Sequence, residues 1–320
     1  MISGHIDSRS TNVMNRSNDA PGANDDGSGV AAVMETARIM SKQSFPATII
    51  FALFSGEEQG LLGAEFMAAK MKKEQVELEA LLNNDIMGSN NSNGTNIINN
   101  TMVRVFSEGL PAFETDKKAG MIRSMGMEND GASRQLARYI KEIGERYVDN
   151  LEVKLIFRSD RFLRGGDQTP FLQKGFTAIR ISEMNENFDH QHQDLKTEHN
   201  IEYGDLAKFM DFEYLRKNTA LNLACLANLA KSPIKPVQVK MEVKNLSNYT
   251  TLSWLSIPEN KAAGFYILIR ERSSPVWQKK IFTKQNTIRL PYSKDNYVFA
   301  VQSVSHQHNE SLPVIPVADR

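Results

Sequence analysis

Residues 47–58 read ATIIFALFSGEE. The run from Ala47 to Phe54 is almost continuously apolar and rich in β-branched and aromatic side chains, which is typical of a strand buried in a parallel sheet. Glu57 and Glu58 follow directly after it. Open α/β sheets place their functional sites at the carboxyl ends of strands. This stretch therefore predicts an α/β fold with carboxylates at one edge of the sheet.

The segments around this strand alternate between helical and extended patterns. Val30, Val33, Met34 and Ala37 recur at the spacing of an amphipathic helix. Further helices are predicted at 61–72, 136–147 and 212–231, and further strands at 80–82, 151–157 and 177–181. This alternation predicts a mostly parallel mixed sheet flanked by helices, with a polar surface loop at 88–101.

Composition limits the classes of protein that fit. The chain has 320 residues, with 38 Lys and Arg against 38 Asp and Glu, so no charge excess indicates nucleic acid or an anionic membrane as partner. No apolar run approaches the roughly 20 residues that a membrane-spanning helix needs. The single cysteine, Cys225, lies in an apolar helical pattern, which predicts a buried thiol and excludes an intrachain disulfide.

A change in pattern after residue 232 predicts a second domain. Residues 233–236 form a proline-containing linker between a first domain at 1–232 and a second at 237–320. The second part carries short alternating β runs, including Trp254, and predicts a small all-β immunoglobulin-like sandwich. It resembles a fibronectin type III domain. We expect it to space the first domain or to dock it on a surface or polymer.

Three motifs could supply metal ligands. His5 and Asp7 lie two residues apart on one side of an extended segment, so the Asp7 carboxylate can orient the imidazole. Asp25 lies in PGANDDGSG, an acidic turn that could instead cap a helix. Asp85 ends the NND segment that follows the next predicted strand. Zinc prefers imidazole and carboxylate ligands, so carboxylates at successive strand ends indicate a zinc site.

The ordered motifs resemble the co-catalytic zinc exopeptidases of metallopeptidase clan MH, which include bacterial leucyl aminopeptidase and aminopeptidase Y. The resemblance runs from Gly4 to about Lys231 through GHIDS, PGANDDGSG, FSGEEQGLLG, NND and GGDQTPFLQKGF. It implies the zinc-exopeptidase fold and two Zn²⁺ ions per chain. By this resemblance Asp25 bridges the two ions and Glu58 binds one of them. His5 and Asp85 bind the other, Asp7 orients His5, and Glu57 is the general base.

The last ligand and one further residue stay open at the level of sequence. His190 and His192 both lie in NFDHQHQD, and the family usually places its histidine four residues before an aspartate. That spacing fits His190 and Asp194, so we prefer His190 over His192. Asp167 lies where the family often has Asp-His, and it either contacts the substrate or caps a helix.

The resemblance implies an aminopeptidase that hydrolyses the N-terminal bond of peptides with a free N-terminus. The alternatives are a two-zinc carboxypeptidase or a glutaminyl cyclase of the same fold, or a non-catalytic receptor or adhesion homologue. Related enzymes with such appended domains are commonly exported, so we expect a secreted or periplasmic protein. Because the family carries a helix and strands before the Gly-His motif, we also expect an N-terminal segment to be missing from this chain.

Overall fold

A computed structural model describes residues 1–111, 114–257 and 262–319. The chain forms two compact units, the first from 1–44 with 48–226 and the second from 45–47 with 227–320. The division falls inside the long helix that ends at Lys231. The sequence placed it a few residues later, at 233–236, which is a segment without helix or strand.

The first unit contains a six-stranded sheet flanked by helices. Its strands, with a separate β7–β8 hairpin, are β1 (Ile2–His5), β2 (Phe51–Phe54), β3 (Leu81–Asn84), β4 (Met102–Phe106), β5 (Glu152–Ile156), β6 (Ala178–Glu183), β7 (Lys196–Glu198) and β8 (Ile201–Tyr203). The helices are α1 (Gly27–Met40), α2 (Leu62–Lys73), α3 (Asp116–Ser124), α4 (Ala132–Tyr147), α5 (Gln168–Gln173) and α6 (Phe212–Lys231).

The strand order in the large sheet is β2-β1-β3-β6-β4-β5. Neighbouring strands are parallel except β4 and β6, which are antiparallel. The predicted mixed, mostly parallel sheet is therefore confirmed. Because β2, β1 and β3 are adjacent and parallel, their carboxyl ends lie at the same edge of the sheet.

Strand β2 is less buried than its apolar composition suggests. β2 begins only at Phe51, and within the described residues it pairs with β1 alone. Phe54 and Ala52 are buried, whereas Leu53 is exposed. The predicted parallel strand is therefore present, but it is shorter than the apolar run and only partly buried, because it lies at the edge of the sheet.

Helices pack on the sheet through apolar faces. Leu136, Ile140 and Ile143 of α4 are fully buried, as are Leu221 and Cys225 of α6. The predicted burial of the cysteine is confirmed, and burial raises the pKa of its thiol. No helix in the described ranges is both long enough and apolar enough to cross a membrane.

The second unit is a sandwich of two β-sheets. One sheet has the order β13-β10-β9-β15 and the other β12-β11-β14. The strands are β9 (Val237–Glu242), β10 (Thr250–Leu255), β11 (Gly264–Glu271), β12 (Lys279–Thr283), β13 (Thr287–Leu290), β14 (Tyr297–Val304) and β15 (Val317–Asp319). Trp254 and Phe265 meet edge-on in the core at 5.3 Å between ring centroids. The all-β sandwich is confirmed, and its assignment to the fibronectin type III family stays a prediction.

Close approach of α1 to the sheet depends on glycine. A β-carbon at Gly29 would lie 2.6 Å from the carbonyl oxygen of Asn84, which is backbone and cannot move aside easily. A β-carbon at Gly4 on β1 would lie 2.9 Å from the Asp26 carboxylate. The first turn of α1 therefore packs against the ends of β1 and β3 only because both positions lack a side chain.

We expect Gly29→Ala to lower the free energy of unfolding by about 1–3 kcal/mol, because the added methyl group overpacks a rigid contact. Gly120→Ala in α3 is the matched control, since a β-carbon there meets nothing within 4 Å. That change should be neutral or stabilise the helix by roughly 0.5–1 kcal/mol. Urea denaturation followed by circular dichroism measures both, and equal midpoints for the two variants would contradict the packing argument.

Candidate metal centre

The predicted ligands come together at one edge of the sheet. His5 is the last residue of β1, while Glu58 follows β2 and Asp85 follows β3. Asp25 lies in the turn before α1. These four residues come from separate motifs in the sequence, and the adjacency of β2, β1 and β3 brings them to one place.

Asp25 lies at the middle of the cluster and is buried. Its Oδ1 is 3.2 Å from His5 Nε2, and its Oδ2 is 2.9 Å from His192 Nε2. His192 Nε2 is also 3.0 Å from Glu58 Oε1. Burial alone would raise the pKa of Asp25, but the two histidines hold it well below its usual range. Asp25 thus joins the two sides of the centre through one carboxylate.

The second side of the centre contains Asp85. Ligand atoms of His5, Asp26 and Asp85 lie within 4.8 Å of one another. Burial raises the pKa of Asp85, opposed by the fully buried guanidinium of Arg180, whose Nη2 lies 2.9 Å from Asp85 Oδ1. Asp85 therefore has one oxygen committed to Arg180.

Asp26 lies in the cluster, but its carboxylate is engaged in backbone hydrogen bonds that support the fold. Its Oδ1 accepts hydrogen bonds from the backbone of Gly29 at 3.0 Å and of Ile86 at 3.3 Å, and its Oδ2 accepts one from His5 at 2.9 Å. Asp26 thus caps α1 and ties the ends of β1 and β3 to it. The helix cap that the sequence suggested for the acidic turn is therefore formed by Asp26.

The structure reverses the preference between the two histidines. His190 stacks on Phe209 with 3.7 Å between ring centroids, and its Nδ1 has no hydrogen-bond partner in the described part of the chain. His192 instead faces Asp25 and Glu58. Asp194, whose spacing favoured His190, bonds the Thr11 backbone and side chain at the surface.

Asp7 orients His5, but not through its carboxylate. The ring atom His5 Nδ1 lies 2.9 Å from the backbone oxygen of Asp7 and 3.9 Å from its Oδ1. The Asp7 carboxylate instead accepts hydrogen bonds from the backbone of Gly56, Glu57 and Glu58 at 2.8, 3.2 and 3.1 Å. The predicted contact was therefore wrong in its chemistry, and Asp7 fixes the turn that carries both glutamates.

Asp167 occupies the position before α5 without capping it. Both of its carboxylate oxygens are buried and lack a hydrogen-bond partner among the described residues. Burial, reinforced by the carboxylates of Asp85 and Asp7 and opposed by His5, raises the pKa of Asp167 to about 7. The capping alternative is not what the structure shows, and a substrate contact stays a prediction.

Sequence reasoning missed several residues that hold the ligands in place. Asp205 accepts hydrogen bonds from the backbone of Asn24 and Asp25, the latter at 2.7 Å. Gln191 Nε2 donates to Asp25 Oδ2 at 2.9 Å. Asp205 lies 180 residues from Asp25 in the chain, outside every metal-type motif, so no sequence pattern pointed to it.

Glu57 lies beside the cluster. It lines a cleft of about 440 Å³ together with Asp25, Glu58, Asp85 and His192. Burial and the nearby carboxylate of Asp85 raise the pKa of Glu57 to about 9. A cation placed among these carboxylates would act in the opposite direction.

The donor set fits zinc. Two ligands at about 2.1 Å from a tetrahedral Zn²⁺ lie roughly 3.4 Å from each other, and the contacts of Asp25 with His5 and His192 are 3.2 and 2.9 Å. The buried Glu58 Oε1 lies at ion-pair distance from His192 but is not aligned for a hydrogen bond. Carboxylates and imidazoles that converge without hydrogen-bond geometry are typical of ligands for a cation.

A mixed α/β sheet with such a cluster at the carboxyl ends of its parallel strands defines an α/β protein with a candidate metal site where this kind of sheet places its functional sites. Residues 1–214 match the model of peptidase family M28. The chain belongs to this family.

Relatives are similar over nearly the whole chain. A probable zinc metalloprotease of Leptosphaeria maculans is 43% identical over 317 residues, which cover 99% of this chain and 73% of the relative. A probable zinc metalloprotease of Pyrenophora tritici-repentis is 40% identical over 319 residues, which cover 99% of this chain and 66% of the relative. The chain thus spans only part of the length of these relatives.

Solved structures support the fold. Legionella pneumophila LapA matches with a TM-score of 0.50 and 21% identity, over 72% of this chain and 52% of that chain. LapB from the same organism matches with a TM-score of 0.50 and 19% identity, over 72% and 51% of the two chains. At these identities the similarity concerns the fold alone.

The choice between the histidines can be measured directly. We expect His192→Ala to lower the zinc content of the purified protein, because His192 contacts both Asp25 and Glu58. His190→Ala, the matched control, should retain the wild-type zinc content. Mass spectrometry of metal content after dialysis, with thermal melting to confirm folding, measures both. Zinc lost from the His190 variant and kept by the His192 variant would restore the preference drawn from spacing.

Proposed function

We propose that this chain is a two-zinc aminopeptidase, which removes the N-terminal residue from peptides. The observation that carries the proposal is the position of Asp25, whose two oxygens each face a different histidine, His5 on one side and His192 on the other. A carboxylate shared in this way is suited to bridging two cations rather than binding one.

The proposed ligand set follows from the contacts. His5 and Asp85 would hold one zinc, Glu58 and His192 the other, and Asp25 would serve both. When bound, zinc lowers the pKa of coordinated water and polarises a peptide carbonyl. The turn carrying Glu58 is fixed by three backbone hydrogen bonds to Asp7, so this ligand is preorganised before any cation binds.

Glu57 would be the general base. Its side chain faces the cleft beside Asp25 and Asp85. Its backbone is held by Asp7 at 3.2 Å, which fixes where the carboxylate can reach. A carboxylate at this place can accept a proton from the attacking water and then deliver it to the leaving amine.

The alternatives fit the geometry less well. A glutaminyl cyclase uses a single zinc, which leaves one side of Asp25 without a purpose. A non-catalytic homologue would not need Glu57 in the cleft next to a full ligand set. The choice of an aminopeptidase over a two-zinc carboxypeptidase rests on the ordered GHIDS, PGANDDGSG and FSGEEQGLLG motifs.

The role of Glu57 is separable from metal binding. We expect Glu57→Ala to keep its two zinc ions and to lose roughly 10²–10⁴-fold in kcat on aminoacyl-nitroanilides, the range typical of a lost general base. Metal analysis and steady-state kinetics on the same preparation test this. Wild-type activity in the variant would remove Glu57 from the mechanism, and one zinc per wild-type chain would overturn the two-metal proposal.

We expect Asp205 to affect zinc binding and catalysis indirectly, because it positions Asp25. Asp205→Ala leaves the half-buried backbone N–H of Asn24 and the buried one of Asp25 without their acceptor. We expect zinc affinity or kcat to fall about 10–100-fold, as is usual when a group that orients a ligand is removed. The exposed Asp149 supplies the matched control, Asp149→Ala, which should behave as wild type. Competition with a zinc chelator gives the affinity, and an unchanged affinity and kcat for Asp205→Ala would show that Asp25 is held by other contacts.

A further inference from the structure

Three arginines line the cleft that contains Glu57: Arg9, Arg161 and Arg164. Arginine side chains at the wall of a catalytic cleft either support the protein or face the ligand. The two cases differ in whether the guanidinium already has a carboxylate partner, because a guanidinium that is paired within the protein has little left to offer a substrate.

Arg161 is committed to the protein. Its Nη1 lies 2.9 Å from Glu186 Oε2 and its Nε lies 3.3 Å from Asp160 Oδ1. Glu186 is in turn bound to Arg104 at 2.6 Å. This network holds the 158–166 loop, which connects β5 to α5, against the first unit.

Arg9 and Arg164 differ from Arg161 in the groups that their guanidinium groups contact. Arg9 is half-buried and donates only to the neutral backbone oxygens of Ser10 and Thr11, at 3.1 and 2.8 Å. Arg164 is exposed, with its guanidinium 5.9 Å from the centre of the Phe188 ring. Neither has a carboxylate within ion-pair distance in the described part of the chain. The cleft therefore presents two uncompensated positive charges on its wall.

The loop that carries Arg164 also exposes apolar side chains beside the cleft. Leu163 lines the cleft, is fully exposed and has a φ of 56°, in the left-handed region that leucine rarely adopts. Phe162 next to it is 81% exposed. Exposed apolar side chains and backbone strain beside a catalytic cleft are features that recur at ligand-binding loops.

We propose that Arg9 and Arg164 bind a carboxylate of the substrate, so that the enzyme prefers peptides with a negative charge close to the scissile bond over neutral peptides of the same shape. This inference rests on the proposed aminopeptidase function. The planar guanidinium matches a carboxylate in a two-point hydrogen-bonded pair. The carboxylate has two sources, an acidic side chain or the C-terminus of a dipeptide.

Matched substrate pairs separate the two sources. Leu-Glu-amide against Leu-Gln-amide, and Glu-Leu-amide against Gln-Leu-amide, report on a side-chain carboxylate. Leu-Leu against Leu-Leu-amide reports on the C-terminus. With zinc-loaded full chain, at least one charged member should have a kcat/KM about tenfold above that of its neutral partner, the effect of one charge-assisted pair.

The variants assign that preference to the two arginines. In Arg9→Gln/Arg164→Gln the ratio of kcat/KM within the preferred pair should fall towards one, mainly through KM, because the interaction is made before the transition state. Arg158→Gln is the control from the same loop, since Arg158 stacks over Phe162 at 3.4 Å and does not line the cleft. It should keep the wild-type ratio. Arg164→Glu should shift preference towards Leu-Lys-amide or Lys-Leu-amide, which a purely structural role would not produce.

A binding measurement separates this inference from the proposed function. Calorimetric titration of the zinc-loaded Glu57→Ala variant with the same peptides reports affinity without turnover, and it should show the same charged-over-neutral preference. Glu57-dependent cleavage of neutral peptides without any charge preference, or a preference that survives the double arginine substitution, overturns this inference alone. Failure of the wild type to cleave any of the peptides overturns the aminopeptidase proposal and this inference with it.

Discussion

The buried carboxylate of Asp26 is the point on which the first unit depends. It receives backbone hydrogen bonds from His5 at the end of β1, from Gly29 in the first turn of α1 and from Ile86 after β3. Each of these segments carries or adjoins a proposed ligand. A buried carboxylate is costly unless its oxygens are satisfied, so the three segments can reach this arrangement only together. Fold and site are thus stabilised by the same contact.

The rest of the centre brings several acidic side chains close together in a buried setting, where their negative charges have to be offset. Arg180 offsets Asp85, and it also lies 3.3 Å from Asp160, so it links the centre to the loop beside the cleft. The imidazoles of His5 and His192 offset Asp25. Among the described residues, Glu58 and Asp167 keep buried oxygens without hydrogen-bond partners. Buried acceptors that lack hydrogen-bond donors favour the binding of a cation. The ion pairs within the protein therefore do not account for all the acidic groups of the site.

Much of the fold could be predicted from pattern. The helix at 212–231 has the predicted bounds, and the strands near 80–82, 151–157 and 177–181 are present with shifted ends. β4 was missed because its Met-Val-Arg-Val-Phe run follows an Asn-rich loop without a clear start signal. The exposure of β2 was missed because a run of apolar residues does not show which strand lies at the edge of a sheet.

The sequence by itself determined the chemistry of the first unit: which strands end in carboxylates, and which short motifs carry His5, Asp25, Glu58 and Asp85. Side-chain type and local periodicity can be read from the sequence without knowledge of the fold. Only the tertiary structure decided that His192 rather than His190 faces Asp25, that the Asp7 carboxylate holds a turn while its backbone oxygen contacts the His5 ring, and that Asp205 supports Asp25. Those outcomes depend on which segments, far apart in the chain, pack at one edge of the sheet. The spacing of residues along the sequence does not give the distances between such segments in space.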